Sequence, residues 1–164
     1  MFLSSLASGL VSLALLSMPA PPADQAGAKP AAKPAAGAAR TVEITGGDDM
    51  KYSVTEIAAK PGETLKIKLV SKGTLPKVAM AHNVVVLKSG AKQADFVNAA
   101  AMARATDFIP ADMKDQVLAA STLAGPGETV EVTFKVPAAA GSYPYMCTFP
   151  GHFAAGMKGT IVAK

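Results

Sequence analysis

The chain is poor in the residues that build metal, disulfide and redox sites. Its 164 residues include one cysteine and two histidines. A single cysteine excludes an intrachain disulfide. It also excludes a closed structural zinc site, which takes four Cys or His ligands where this chain has three. A second, catalytic metal centre beside a first would need histidines that the chain lacks. Runs of like charge are absent as well. From residue 41 onward thirteen basic residues face eleven acidic ones, a net charge of +2, with the lysines spread along strands and turns. That balance gives no nucleic-acid site, and no internal repeat is visible.

The composition shifts twice along the chain. Residues 2–20 are apolar and Ser-rich, like the hydrophobic region of a signal peptide, with small residues at 20–23 as a cleavage zone. The basic start usual in such peptides is missing, and about 19 apolar residues also just span a bilayer, so cleavage and N-terminal anchoring both stay open for residues 1–23. Lipid attachment through a cysteine after this run is excluded, because none is there. Residues 24–40 carry a repeated Lys-Pro-Ala-Ala unit and no large apolar side chain. They read as an extended spacer reaching about 50 Å at ~3.1 Å per residue. Residues 41–164 are then long enough for one domain with one core.

Within that domain the period is two. Val42 and Ile44 alternate with polar residues up to a Gly-Gly-Asp-Asp turn at 46–49, whose aspartates read as solvated. Strands are expected at 50–57, at 65–69 with Lys66 and Lys68 outward, and at 84–87, a continuous apolar run buried on both faces. Val130, Val132, Phe134 and Val136 alternate, Tyr143, Tyr145 and Cys147 share a face in a strand at 142–148, and 158–163 closes the sheet. Between 92 and 124 the alternation lapses. Ala-rich 99–105 and then 110–120 suit two short helices, a flap outside the sheets. Short strands, regular turns and one helical insertion make an all-β, Greek-key β-sandwich.

The scarce donors are concentrated. Cys147, His152 and Met157 follow at intervals of five, with Pro150 and Gly151 at the turn between the first two, and His82 lies far upstream ahead of an apolar strand. Taken singly, a lone Cys is a small inert hydrophobe, a His at a strand end is structural and a Met is core filler. Together they use every Cys and His in the chain. A thiolate, two imidazoles and a weak axial thioether are the donor set of a blue-copper electron-transfer centre, in which sulfur suits Cu(I) and imidazole suits either state. Pro150 and Gly151 allow the tight turn that folds His152 back toward Cys147. A Cys–His nucleophile would leave the second His and the Met without a role, and catalytic zinc would find no carboxylate in the ligand loop as general base.

Cys147-Thr-Phe-Pro-Gly-His152, with Met157-Lys-Gly-Thr160 and the upstream segment from Leu75 to Asn83, resembles the azurin branch of the cupredoxins over most of 41–164. The resemblance implies the cupredoxin fold and one type 1 copper held by His82 Nδ1, Cys147 Sγ, His152 Nδ1 and, weakly, Met157 Sδ. It implies that Asn83, with Thr148, braces the ligand loop, and that backbone N–H groups near the thiolate tune its potential. Three departures stand out. Ala81 occupies the place of an azurin glycine whose carbonyl sits near the copper, so a weak backbone contact from Ala81 stays open. Four residues separate His152 from Met157, as in plastocyanins and auracyanins, where azurins have three. The N-terminal disulfide of azurins cannot form.

The expected function is a soluble electron carrier, not an enzyme, exported to the periplasm or beyond. Its partners would be redox proteins such as a c-type cytochrome or a reductase or oxidase. The folded domain itself would make no membrane contact. His152 is expected to be the exposed ligand, ringed by Met80, Phe149, Pro150, Phe153 and Ala154 as an apolar docking patch. A copper storage or delivery protein is the alternative, and a copper domain of a larger oxidase or reductase complex a further one.

Overall fold

The computed structural model describes residues 38–164. The apolar segment and all but the last three residues of the spacer lie outside the described residues. Eight strands follow in chain order: β1 (Arg40–Gly46), β2 (Glu56–Ala59), β3 (Thr64–Ser71), β4 (Val85–Leu87), β5 (Val117–Ala120), β6 (Thr129–Lys135), β7 (Gly141–Met146) and β8 (Lys158–Ala163). Helix α1 (Gln93–Ala100) lies between β4 and β5, and a single turn α2 (His152–Ala155) lies between β7 and β8. The strands form a three-stranded sheet, β1-β3-β6, and a five-stranded sheet, β2-β8-β7-β4-β5. β1 and β3 run parallel because the chain crosses to the other sheet for β2 before returning.

Alternation places the core. In β3 Leu65, Ile67 and Leu69 are fully buried, with Ile67 in register between Val42 and Val132. Lys66 and Lys68 point outward to Glu131 and Glu43, each 2.9 Å away. Ile57, Ile161, Tyr143, Tyr145, Val84 and Val86 answer from the second sheet, and Cys147 and Met157 belong to the same buried cluster. The donor residues are therefore set into one end of the hydrophobic core.

Four expectations change. Arg40, counted with the spacer, opens β1, and its guanidinium pairs with Glu63 at 2.7 Å. The strand expected at 50–57 forms only from Glu56, as β2: Met50 takes a left-handed φ of 53°, and Tyr52 makes one bridge to Gly46 while its hydroxyl donates to Asn83 O in the interior. The first helix lies at Gln93–Ala100 rather than 99–105, because Phe96 and Ala100, one turn apart, are the residues buried, Phe96 among Val85, Leu87 and Met146. Finally, 110–120 divides into a 3₁₀ turn, Ala111–Gln116, and strand β5. The edge of β4 claims this stretch, pairing Val85 with Ala120 and Val86 with Ala119.

Ile67→Ala should lower unfolding stability by roughly 2–5 kcal/mol, since the site is sealed on both sides. The check is a denaturant titration of the metal-free protein, in which the midpoint falls with little change in slope.

Candidate metal centre

His82 stands just ahead of β4 and is held on both sides of its backbone. Its N–H donates to Ala124 O at 2.9 Å and its C=O accepts from Ala124 N–H at 2.7 Å. The next residues, Asn83 and Val84, are fully buried, and Val84 N–H donates to Ser121 Oγ at 2.9 Å. The imidazole therefore projects from a segment with little freedom.

The second segment closes on itself. Cys147 N–H donates to Met157 O at 3.0 Å, Met157 N–H to His152 O at 2.9 Å, and His152 N–H to Phe149 O at 3.1 Å. Gly151 makes the turn with φ at 87°, a region that costs most other residues free energy. His152 is then the first residue of α2, a helical turn that the sequence pattern did not foretell. Asn83 joins the two segments: its Oδ1 accepts from Thr148 N–H at 2.9 Å, and its Nδ2 donates to Thr148 Oγ1 at 2.9 Å.

These constraints bring three donors together. His82 Nδ1 and His152 Nδ1 lie 3.2 Å apart, and Cys147 Sγ is 3.4 Å from the latter. All three donor atoms fall within 4.8 Å of one another, in residues no more than 2% exposed. Ala81 O faces the same sulfur at 3.9 Å. Met157 is fully buried beside them, and Gly46 explains how it fits. A methyl group on Gly46 would lie 2.4 Å from Met157 Cε and 3.6 Å from His82 Cγ, so any side chain there would force the thioether end to move from its place beside the imidazole. The sequence reading had assigned Gly46 to a turn.

Burial also sets the charge. It holds His152 down at about 4, with His82 nearby adding to the effect, and it lowers His82 against the opposing pull of Asp48 and Asp49. Burial pushes the Cys147 thiol up to about 11, opposed by hydrogen bonds from the backbone N–H groups of Asn83 and Phe149. At neutral pH the metal-free cluster is thus two neutral imidazoles and a thiol. His82 Nε2 is buried without a hydrogen-bond partner. The donor nitrogens face each other rather than protein donors, an arrangement that a cation between them would satisfy. Soft sulfur with two imidazoles suits copper.

The expected docking residues divide. Pro150 and Ala154 are exposed, while Met80, Phe149 and Phe153 are half-buried. His152, expected to be exposed, is 2% exposed. The Phe149 ring lies 4.9 Å from its ring, centroid to centroid, and covers it. Phe153 packs against the cluster of Val85, Leu87, Phe96 and Met146, with the Lys158 ammonium 4.4 Å above its ring. The exposed apolar side chains on the approach to His82 are instead Leu75 and Val78, at 44% and 71%. Leu75 was in view as part of a motif, but nothing in a loop sequence distinguishes an exposed apolar residue from a buried one. Asp48 also does more than solvate a turn, since its carboxylate accepts from Thr74 N–H and Oγ at 2.9 and 2.8 Å and pins the loop that runs to His82.

A two-sheet sandwich with one buried His-Cys-His cluster at its end is the architecture of a cupredoxin. Residues 38–164 match the family described as copper binding proteins, plastocyanin/azurin family. Auracyanin-A of Chloroflexus aurantiacus is 38% identical over 127 residues, covering 76% of this chain and 74% of that protein. Azurin-2 of Alcaligenes xylosoxydans xylosoxydans is 38% identical over 121 residues, covering 72% and 92%. Among solved structures, auracyanin A, described as a "blue" copper protein from a green thermophilic photosynthetic bacterium, superposes with a TM-score of 0.69. It shares 37% identity, and the match covers 77% of this chain and all of that one. The chain belongs to the plastocyanin/azurin family of copper-binding proteins, and its cluster fits one type 1 copper.

The lowered imidazoles predict how the metal-free protein responds to acid. The unfolded chain takes up protons near pH 6.5, before the folded one does, so stability is complete above that pH and declines as pH falls toward 4. Urea midpoints of the metal-free protein should drop between pH 6.5 and 4.5, and His152→Ala should flatten the slope.

Proposed function

We propose that His82 Nδ1, Cys147 Sγ and His152 Nδ1 hold one copper, with Met157 Sδ as a weak axial ligand and the Ala81 carbonyl as a weaker contact. Bound there, copper supplies one-electron transfer between Cu(I) and Cu(II). The protein is then an electron carrier rather than an enzyme. The observation that carries this reading is the convergence of three soft or borderline donors in a site closed to water. Such a site leaves little opening for a substrate and little room for ligands to rearrange between oxidation states. It also disfavours storage or delivery, which need ready release. Asn83 and Thr148 keep the two ligand segments in register, and the thiol gives up its proton to bind.

The domain reading extends the same proposal. Residues 1–23 direct export, to the periplasm or an equivalent space, by cleavage or as an anchor, and residues 24–40 are the spacer. Residues 41–164, with Arg40 added, make the copper domain. Among the described residues no helix is long and apolar enough to cross a membrane. Electrons enter and leave through redox proteins docked over Met80, Phe149, Pro150 and Phe153, by small and short-lived contacts of the kind electron transfer uses.

Copper-loaded, oxidised protein should show the intense blue absorption that the family owes to its Cu–thiolate bond, and Cys147→Ser should abolish it. A colourless oxidised complex from wild-type protein would remove the carrier reading. For docking, Phe153→Glu should slow electron transfer to a physiological redox partner about tenfold or more while leaving the visible spectrum in place. An unchanged rate would discard that face.

A further inference from the structure

The turn between β1 and β2 reaches both halves of the metal centre. Met50 holds a left-handed φ of 53°, a conformation that residues other than glycine adopt only at a cost. Its N–H donates to Gly47 O at 2.9 Å, and Tyr52 bridges back to Gly46, so the turn is tied at both ends to the close of β1. The two residues after Met50 then serve different segments. Tyr52 turns inward, and its hydroxyl donates to Asn83 O, next to His82. Lys51 stays exposed, and its ammonium donates to Ala155 O in the ligand loop.

Ala155 O is the last carbonyl of α2, and a helical turn leaves its final carbonyls without partners of its own. A lysine near the end supplies one. The contact does not stand alone. A methyl group on Gly156 would lie 2.6 Å from Lys51 Nζ and 3.7 Å from its Cε, so the side chain lies across that residue too. Residues 155 and 156 end the span that joins His152 to Met157, and the thioether end of Met157 rests beside Gly46, at the base of the same turn. We propose that Lys51 is a positioning residue for the metal centre: its ammonium clamps the chain between His152 and Met157 and so fixes how closely the thioether approaches a bound copper.

The clamp rests on the copper reading above, and its sign separates it from a mere effect of charge. Redox balance at such a centre responds to the axial ligand. A thioether held less firmly donates less to copper, which disfavours Cu(II), the state poorer in electrons, and lowers the oxidised-to-reduced ratio at a fixed poise. Removing a positive charge nearby does the opposite, because it relieves repulsion of the more highly charged state. A lysine that contributed charge alone would therefore, when removed, move the ratio up.

Lys51→Met keeps most of the stem and loses the donor, while Lys51→Arg keeps a cationic donor for the single carbonyl. In metal-free protein, Gly156 and Met157 N–H groups donate to Phe153 O and His152 O. Their exchange should be about three- to tenfold faster in Lys51→Met than in wild type, on the scale of one exposed charged contact, and near wild type in Lys51→Arg. In copper-loaded protein the oxidised-to-reduced ratio should fall about threefold in Lys51→Met and hold in Lys51→Arg. Lys51 is exposed, so neither substitution empties a place in the core. Blue wild-type protein in which Lys51→Met leaves these amides unchanged, or leaves the ratio unchanged or raised, overturns the inference and keeps the copper assignment. A colourless oxidised wild-type complex overturns both.

Discussion

The reciprocal hydrogen bonds between Asn83 and Thr148 are the constraint on which the rest depends. His82 and Cys147 belong to segments 65 residues apart in sequence, yet their donor atoms fall within 4.8 Å of each other. Sheet pairing alone does not ensure this, because β4 and β7 are matched at only two positions, Val85 with Met146 and Val86 with Tyr145. Beyond the last pair the ladder ends, and one amide side chain continues it with two bonds of 2.9 Å. Tyr52 then secures the Asn83 carbonyl. Both ends of the brace are buried, so the loss of either partner would leave a polar group without water or a substitute.

The site also has an electrostatic logic. Desolvation favours neutral forms, and the metal-free cluster is neutral: imidazoles held low, thiol held high. A charged cluster at the end of a hydrophobic core would be costly, whereas a neutral one can wait inside it. A copper ion bound there would displace the thiol proton, and the thiolate would offset part of its charge. Among the described residues the cluster contains no carboxylate.

The flap shows why loops of this kind resist reading from sequence. Its hydrophobic spacing is irregular, because it packs at separate points rather than along one face: Phe96 under β4 and β7, Phe108 against Phe149, Val117 to Ala120 along the edge of β4. Ala-rich composition favours helix intrinsically, but the helix forms where Phe96 and Ala100 can be buried. Propensity loses to tertiary anchoring there. The same reason displaced the expected strand at 50–57, where the interior claims Tyr52 and breaks the alternation.

The sequence by itself determined the chemistry and the broad architecture. Scarcity made Cys147, His82, His152 and Met157 conspicuous, period-two alternation located β3 and β6, and the Pro150-Gly151 pair marked the turn. These signals are local, carried by residue type and spacing. The tertiary structure alone decided what depends on neighbours distant in the chain. It made Gly46 the gap for the thioether, turned Asp48 into a loop clamp, covered His152 with Phe149 and set Phe108 edge-on against Phe149. All but the Phe149–His152 contact join segments more than twenty residues apart, and the order of residues in a chain does not state which of its surfaces will touch.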